Sequence, residues 1–469
     1  MGKIAHSTLS GRVLRAMSIF SGLQFMNVLC AIVRTKLVAL WIGPAGVGVI
    51  SLFNSTLETV KTVSNLNLRQ SAVPEIARGD AAGKAIVGYA TMRTALFLGL
   101  VGSILTLVLS PLLSMLTFGS YAYSWGFALL APTILFSTMA EARNAFLQGL
   151  DRLGDLAKAS MWATLAATGV AIPMFYFFRM DAIVPVLFIY GFCGFFFLCL
   201  QRLPKPTGKP STDKTKALFK HFIRLGTVIT IAVSFGYLAE YILRVFIRTQ
   251  AGDSGVGVFQ AGYSIVNNYV GIIFTAIAME FYPRLASTIK RPRRTELVVG
   301  HEIGLTLWVL LPIVVVFISA DELIVRLLYS SDFLAVLPFM GVAILATFFR
   351  AVAWCFSYVI LSKGDGRTYI ITEGTSALSL LVFAWIGWHG WGLLGLGVAY
   401  LLQYVAFAFA THVVYRRYGL RLQRKVVNLL ALATATGFAA LAMRAVAWWL
   451  PLVAILPWLM PLAYKRIFK

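Results

Sequence analysis

Apolar residues in this chain come in windows of roughly 18 to 28 residues separated by short polar breaks, and that pattern leaves few folds open. A window of that length, at about 1.5 Å per residue, crosses a hydrocarbon layer about 30 Å thick. Lipid offers no partner to backbone N–H and C=O groups, so each window must be a helix that satisfies its own backbone. A transmembrane barrel would show short alternating strands instead. Composition agrees: 59% of the 469 residues are hydrophobic and 13% are charged, against roughly a quarter charged in soluble domains. The expected fold class is an all-α polytopic membrane protein.

About fourteen transmembrane helices are expected, with ends good to a few residues. They lie near 13–40, 46–68, 85–110, 122–148, 156–178, 182–201, 222–247, 255–280, 300–320, 336–361, 369–388, 391–414, 426–443 and 446–464. The break at 202–221, RLPKPTGKPSTDKTKALFKH, is rich in Pro, Lys and Thr and reads as a basic cytoplasmic linker. The net charge of +23 follows membrane topology and not nucleic-acid binding. About 30 of the 41 Lys and Arg residues fall at the termini and in the even-numbered loops, which places both termini in the cytoplasm. Cys30, Cys193, Cys199 and Cys355 all lie in apolar windows and read as core thiols. The N-terminus shows no cleavable signal.

An internal repeat organises the chain. GPAGVGVISLFNS at 43–55 aligns without gaps with GDSGVGVFQAGYS at 252–264, at a constant offset of 209. Pro74 meets Pro283 and Ala77 meets Ala286 in the same register. Each repeat carries six spans, an even number, so the two have the same orientation. The expected organisation is an N-terminal six-helix lobe at 1–201, the linker at 202–221, a second six-helix lobe at 222–415 and a two-helix hairpin at 416–469. The lobes would be related by a pseudo-twofold axis along the membrane normal, with a substrate path between them.

Within this apolar frame one segment stands out. In NSTLETVKTVSNLNLRQ, residues 54–70, Asn54, Glu58, Lys61, Asn65 and Arg69 share one face of an ideal helix. A charge at mid-bilayer costs at least about 2.5–3.5 kcal/mol, so this face turns either to a partner helix or to a wet cavity. Glu58 and Lys61 also stand at pairing distance on their own helix. In the repeat register Glu58 and Thr59 fall on Asn267 and Asn268, so both lobes present polar groups at one depth. Thr35 aligns with Arg244, so Arg34 and Lys36 near the outer end of the first span and Arg244 and Arg248 of the seventh form cationic clusters at matching heights. Each of these is either a cavity cation or a side chain reaching for the interface. Arg350 lies deep in ATFFRAVAWCF with no carboxylate within a turn, which points to an anion or a distant partner. Glu141 and Arg143 form either a gate or an interfacial pair. Glu240, one turn from Arg244, either neutralises it or couples transport to a cation.

Chemistry of the enzymatic kind is not written here. GxxxxGK[ST], HExxH and GxSxG are all absent, and the short loops leave no room for a catalytic domain. No metal-ligand spacing and no cofactor motif is present, and the five histidines are scattered.

RTKLVALWIGPAGVGVISLF followed by LNLRQSAVPEIARG, the repeat at GDSGVGVF and the turn ILSKGDGRTYIITEG carry a resemblance. The chain resembles polysaccharide transporters, specifically Wzx-type O-antigen translocases, of the multidrug/oligosaccharidyl-lipid/polysaccharide exporter superfamily. The resemblance covers roughly residues 10–415. It implies a two-lobed flippase of the bacterial inner membrane. Its substrate would be an undecaprenyl-pyrophosphate-linked oligosaccharide, moved from the cytoplasmic to the periplasmic leaflet by alternating access, with a polysaccharide polymerase and chain-length regulator as partners. It also implies a cationic cavity holding Arg34, Lys61, Arg69, Arg244 and Arg350. The alternatives are a lipid II flippase of the same superfamily, a drug or cation antiporter and, further off, a membrane glycosyltransferase. The physical need for a protein is plain. Each hydroxyl taken into hydrocarbon without a partner costs about 4–8 kcal/mol, so a glycan head crosses only where a wet polar path replaces its solvent.

Overall fold

The computed structural model describes residues 2–204 and 212–455. Side chains are described from Met26 onward, apart from 211–216, 268–269, 272–273, 275–280 and a few single positions. The described elements are helices: α1 (Gly2–Asn65), α2 (Leu68–Arg78), α3 (Ala81–Val108), α4 (Ser110–Phe118), α5 (Ser124–Gly149), α6 (Leu153–Phe178), α7 (Ile183–Cys199) and α8 (Thr212–Tyr263). There follow α9 (Val270–Thr288), α10 (Pro292–Ser319), α11 (Asp321–Leu328), α12 (Leu337–Ala343), α13 (Ala346–Ser362), α14 (Gly366–Arg417) and α15 (Arg424–Arg444).

Among the described residues eight helical stretches are long and apolar enough to cross a membrane, and the pair 331–343 and 346–362, bent by 53°, makes a ninth. Four of the eight contain a break. α1 turns at Gly43 (φ 63°, ψ −169°) and α8 at Gly252 (φ 69°, ψ −175°). This combination is reached almost only by glycine, which has no Cβ to clash, and in α1 Pro44 then opens the second arm, where its missing N–H costs nothing. The other two breaks are the turn at 179–182 between α6 and α7 and the turn at Trp391 and Gly392 in α14. Split at these points, the stretches account for thirteen of the fourteen expected spans. The last, 446–464, runs beyond residue 455 and so mostly lies outside the described residues.

By packing, the chain divides into two compact units, residues 1–254 and 255–469. The first arm of α8, placed at the head of a second lobe by the repeat, packs in the first unit. In that unit Leu68, Ala72 and Ile76 of α2 form a core with Ala142, Ala145 and Phe146 of α5 and with Phe222. In the second unit Leu310, Leu311, Val314 and Val315 of α10 are fully buried, and Phe339 meets Phe259 and Tyr400 edge to face with centroids 5.2 and 5.6 Å apart. The element order recurs at the repeat offset. Shifted by 209, α3 and α4 land within two residues of α10 and α11. The two short helices α4 and α11 were not anticipated, being too short to register as spans.

One expectation fails locally. The polar stripe was read on a single helix through residue 70, but α1 ends at Asn65. Leu66 (φ 47°) and Asn67 (φ 44°) are left-handed, and α2 starts afresh at Leu68. The Asn65 side chain accepts from the Asn67 backbone N–H at 3.1 Å, so it closes this turn. Arg69 therefore belongs to a different helix from Glu58 and Lys61.

Candidate functional site

The first unit gathers most of the expected polar residues, and it gathers them as pairs. On the second arm of α1, Lys61 Nζ donates to Glu58 Oε1 at 3.0 Å, with the Glu58 side chain half exposed. Arg69 on α2 donates through Nε to Gln148 Oε1 at 3.1 Å and stands 3.6 Å from Glu141 Oε2. Arg248 donates to Asp253 Oδ1 at 2.8 Å, directly after the Gly252 turn, and lies 5.5 Å from the Phe118 ring centroid. Arg244 is 5% exposed. It donates to Ser51 Oγ at 3.1 Å, to the Glu240 carbonyl at 3.0 Å and to Glu240 Oε2 at 3.3 Å. The expected cavity cations Lys61, Arg69, Arg244 and Arg248 are thus each beside a carboxylate. Pairing is how a low-dielectric interior tolerates them, because an isolated buried charge costs several kcal/mol. Of the two readings of Glu240, the structure shows the neutralising contact.

Other members of the set serve the backbone or the aromatic wall. Arg143 on α5 donates to the carbonyls of Leu198, Cys199 and Gln201 at 2.7 to 3.2 Å. It caps the C-terminal end of α7, where carbonyls lack intrahelical partners, and makes no pair with Glu141. Arg34 lies 4.6 Å from the Tyr190 centroid on α7, a cation–π contact. Lys36 and Asn54 share its helix, half-buried and exposed respectively.

Sequence reading passed over three features of this unit. Thr56, Thr117 and Tyr241 form a hydroxyl chain with steps of 3.2 and 3.0 Å. Tyr237 on α8 is within electrostatic reach of Glu58, Glu141 and Glu240 together. Gln148 completes the hold on Arg69. None carries a charge, so none stands out in an apolar window.

The second unit is built differently. α8 gives way at Ser264 to a wide π-helical turn that runs to Tyr269. Such insertions occur mostly as single turns within α-helices and frequently at functional sites. The turn carries Asn267, whose Oδ1 accepts from Arg350 Nη1 at 2.9 Å. Its amide nitrogen Nδ2 is buried with no partner among the described residues. The Asn268 side chain lies outside the described residues. Arg350 is half-buried on α13, 5.0 Å from the Phe274 centroid and 5.9 Å from that of Tyr404. Among the described residues it has no carboxylate partner. Glu373 on α14 was also missed; it accepts from the Ser357 hydroxyl at 3.3 Å. The signal for it was present as a lone carboxylate in TEGTSALSLLVF.

A guanidinium with spare donors beside an orphaned amide, both inside an apolar helix bundle, is an arrangement suited to an oxyanion. Arg presents several N–H groups to phosphate or carboxylate in a planar fork. In the first unit Lys61, Arg69, Arg244 and Arg248 each stand beside a carboxylate, so these four offer hydrogen bonds more than net charge.

Known proteins place this architecture. The profile of the polysaccharide biosynthesis protein family matches residues 87–338. The lipid III flippase of Escherichia coli (strain K12) is 22% identical over 409 residues, covering 79% of this chain and 90% of that protein. Among solved structures, an inward-facing multidrug resistance MATE family transporter of the MOP superfamily matches with a TM-score of 0.70 at 15% identity. It covers 88% of this chain and 98% of that one. The lipid II flippase MurJ in its inward closed conformation also matches at 0.70, with 13% identity and 96% and 98% coverage.

Proposed function

The chain belongs to the polysaccharide biosynthesis protein family, and on that premise we propose that it is a flippase for a lipid-linked oligosaccharide. The substrate is an oligosaccharide on undecaprenyl pyrophosphate, carried from the cytoplasmic to the periplasmic leaflet of the bacterial inner membrane. Both termini are cytoplasmic. The two repeats supply the alternating lobes, and the prenyl tail stays in the lipid while the head crosses. A polymerase and a chain-length regulator receive the product.

The observation that carries this reading is Arg350. A guanidinium held in a membrane helix by an amide oxygen and two aromatic rings, with no carboxylate to neutralise it among the described residues, favours an anion as its missing partner. At about 4 Å and an effective dielectric near 20 such a contact is worth roughly 4 kcal/mol. A cationic drug would meet repulsion at the same place, which disfavours an antiporter for drugs. The relatives are transporters by name, in keeping with a role that makes and breaks no bond in the substrate.

The test is complementation. Bacterial strains lacking an O-antigen translocase, a lipid III flippase or a lipid II flippase receive this chain, and accumulation of each lipid-linked intermediate is measured. Relief of the first or second supports the proposal. Relief of the lipid II block alone replaces it with a peptidoglycan role, and relief of none refutes it.

A further inference from the structure

On α13 between Ala351 and Ile360, every residue is buried except Trp354 and Tyr358. Together with Arg350 they stand at i, i+4 and i+8, so they form one accessible stripe with steps of about 6 Å. The rings are in mutual contact. Phe274, under the Arg350 guanidinium, meets Trp354 edge to face at 5.2 Å. Trp354 meets Tyr358 at 5.2 Å, and Tyr358 meets Tyr282 at 5.5 Å. Tyr282 is 38% exposed. A lipid-facing helix has no need of this composition, because aliphatic side chains fill that role without the polar edges that Trp and Tyr bring. Nor would a lipid-facing stripe begin with an arginine.

We propose that Trp354, Tyr358 and Tyr282 form a sugar-stacking track, along which pyranose rings of the glycan lie while the phosphate next to the first sugar rests on Arg350 and the Asn267 amide. A pyranose presents an apolar C–H face and a rim of hydroxyls. The face packs on an aromatic ring, and the Tyr hydroxyls and indole N–H can bond the rim. The fixed order, cation first and rings after it at one-turn intervals, matches a ligand whose charge and sugars are also in fixed order. Stacking is tolerant of sugar identity, since it reads the ring face and not the hydroxyl pattern, so the track recognises hexopyranose as a class.

This inference rests on the proposed flippase reading, and its test separates the two. Full-length protein in nanodiscs is titrated with undecaprenyl pyrophosphate, bare and carrying a single N-acetylhexosamine. The wild type is expected to bind the sugar-bearing lipid more tightly. Trp354→Leu and Tyr358→Leu are each expected to weaken that lipid about three- to tenfold and to leave the bare lipid unchanged. Arg350→Gln is expected to weaken both alike. Trp354→Phe retains a ring face and should recover most of the preference, which separates stacking from a packing defect. Equal loss for both lipids in the Leu variants, or no loss, overturns the track and leaves the flippase reading standing. Failure of the wild type to bind either lipid overturns both.

Discussion

Gly43 and Gly252, 209 residues apart, adopt nearly the same backbone geometry, φ 63° and ψ −169° against φ 69° and ψ −175°. Each breaks a long helix into two arms. Nothing lies within 4 Å of where a Cβ would sit at either position, so glycine is required there by torsion and not by space. Gly43→Ala and Gly252→Ala should therefore each cost about 1–3 kcal/mol without a steric clash. Thermal unfolding in detergent checks this. Ala at Gly390, a position with equally open surroundings but without a positive φ, serves as the control and should stay within about 1 kcal/mol.

Arg350 and Arg244 should part company on mutation, although both are arginines in membrane helices. Arg350 is half-buried and touches mainly rings and an amide, so Arg350→Ala should leave a folded, inserted protein that fails to export glycan. Arg244 is buried on Ser51 and Glu240, and its loss takes a buried charged donor from both. Arg244→Ala should cost about 2–4 kcal/mol, the lower part of that range because Glu240 keeps some solvent. Fluorescence-detected gel filtration after a heat step, beside surface-glycan staining, distinguishes a lost function from a lost fold. As cavity cations both arginines would give folded, inactive variants; burial of Arg244 changes that expectation.

Arg143 supports three carbonyls at the end of α7, so its replacement is a stability experiment. Arg143→Ala should lower the melting temperature, by an amount equivalent to about 1–3 kcal/mol. Arg143→Lys should recover part of it, since an ammonium reaches fewer carbonyls than a guanidinium fork. A large transport defect with unchanged melting would favour the gate reading for this residue.

In the turn ahead of α14, Asp365 accepts from the Thr368 hydroxyl at 2.7 Å, from Tyr418 Oη at 2.7 Å and from the Thr368 N–H at 3.1 Å. These bonds, the Thr368 hydroxyl foremost, hold its carboxyl below the usual carboxylate range, while desolvation and the Asp365 contact push the Tyr418 phenol up to about 12. A carboxyl lowered on folding contributes stability above its unfolded value of about 3.9, lost as pH falls through the folded value. A phenol raised on folding contributes below its unfolded value of about 10, lost as pH rises toward 12. Wild type should exceed Asp365→Asn in stability by a constant margin between about pH 5 and 9, and that margin should close in acid. A gap that persists unchanged to the lowest pH at which the protein stays folded would refute the assignment.

Two arms of α14 approach so closely at Gly387 and Gly395 that a Cβ on Gly395 would sit 1.7 Å from the Gly387 carbonyl oxygen. Small residues let membrane helices meet backbone to backbone. Gly395→Val should therefore abolish stable insertion or lower the melting temperature sharply, and Gly387→Val should do the same, as yield and melting in detergent will show.

What the sequence alone determined is whatever depends on local chemistry and on the solvent. Apolar window length dictated membrane helices, glycine in the GPAGVGV and GDSGVGV repeats marked the two bends, and the 209-residue offset anticipated the recurrence of α3 as α10. The tertiary structure decided which polar residues are occupied. A periodicity argument assumes one continuous helix, so it could not see the left-handed pair Leu66–Asn67 that puts Arg69 on α2 beside Gln148 and Glu141. Nor could it tell Arg143, spent on carbonyls, from Arg350, left with rings and an orphaned amide for company. Insertion into lipid depends on the sum of apolar area along a segment, which the chain carries in itself. Satisfying a charge depends on donors and acceptors brought from residues up to 193 positions away, as Ser51 is to Arg244, and only folding sets those distances.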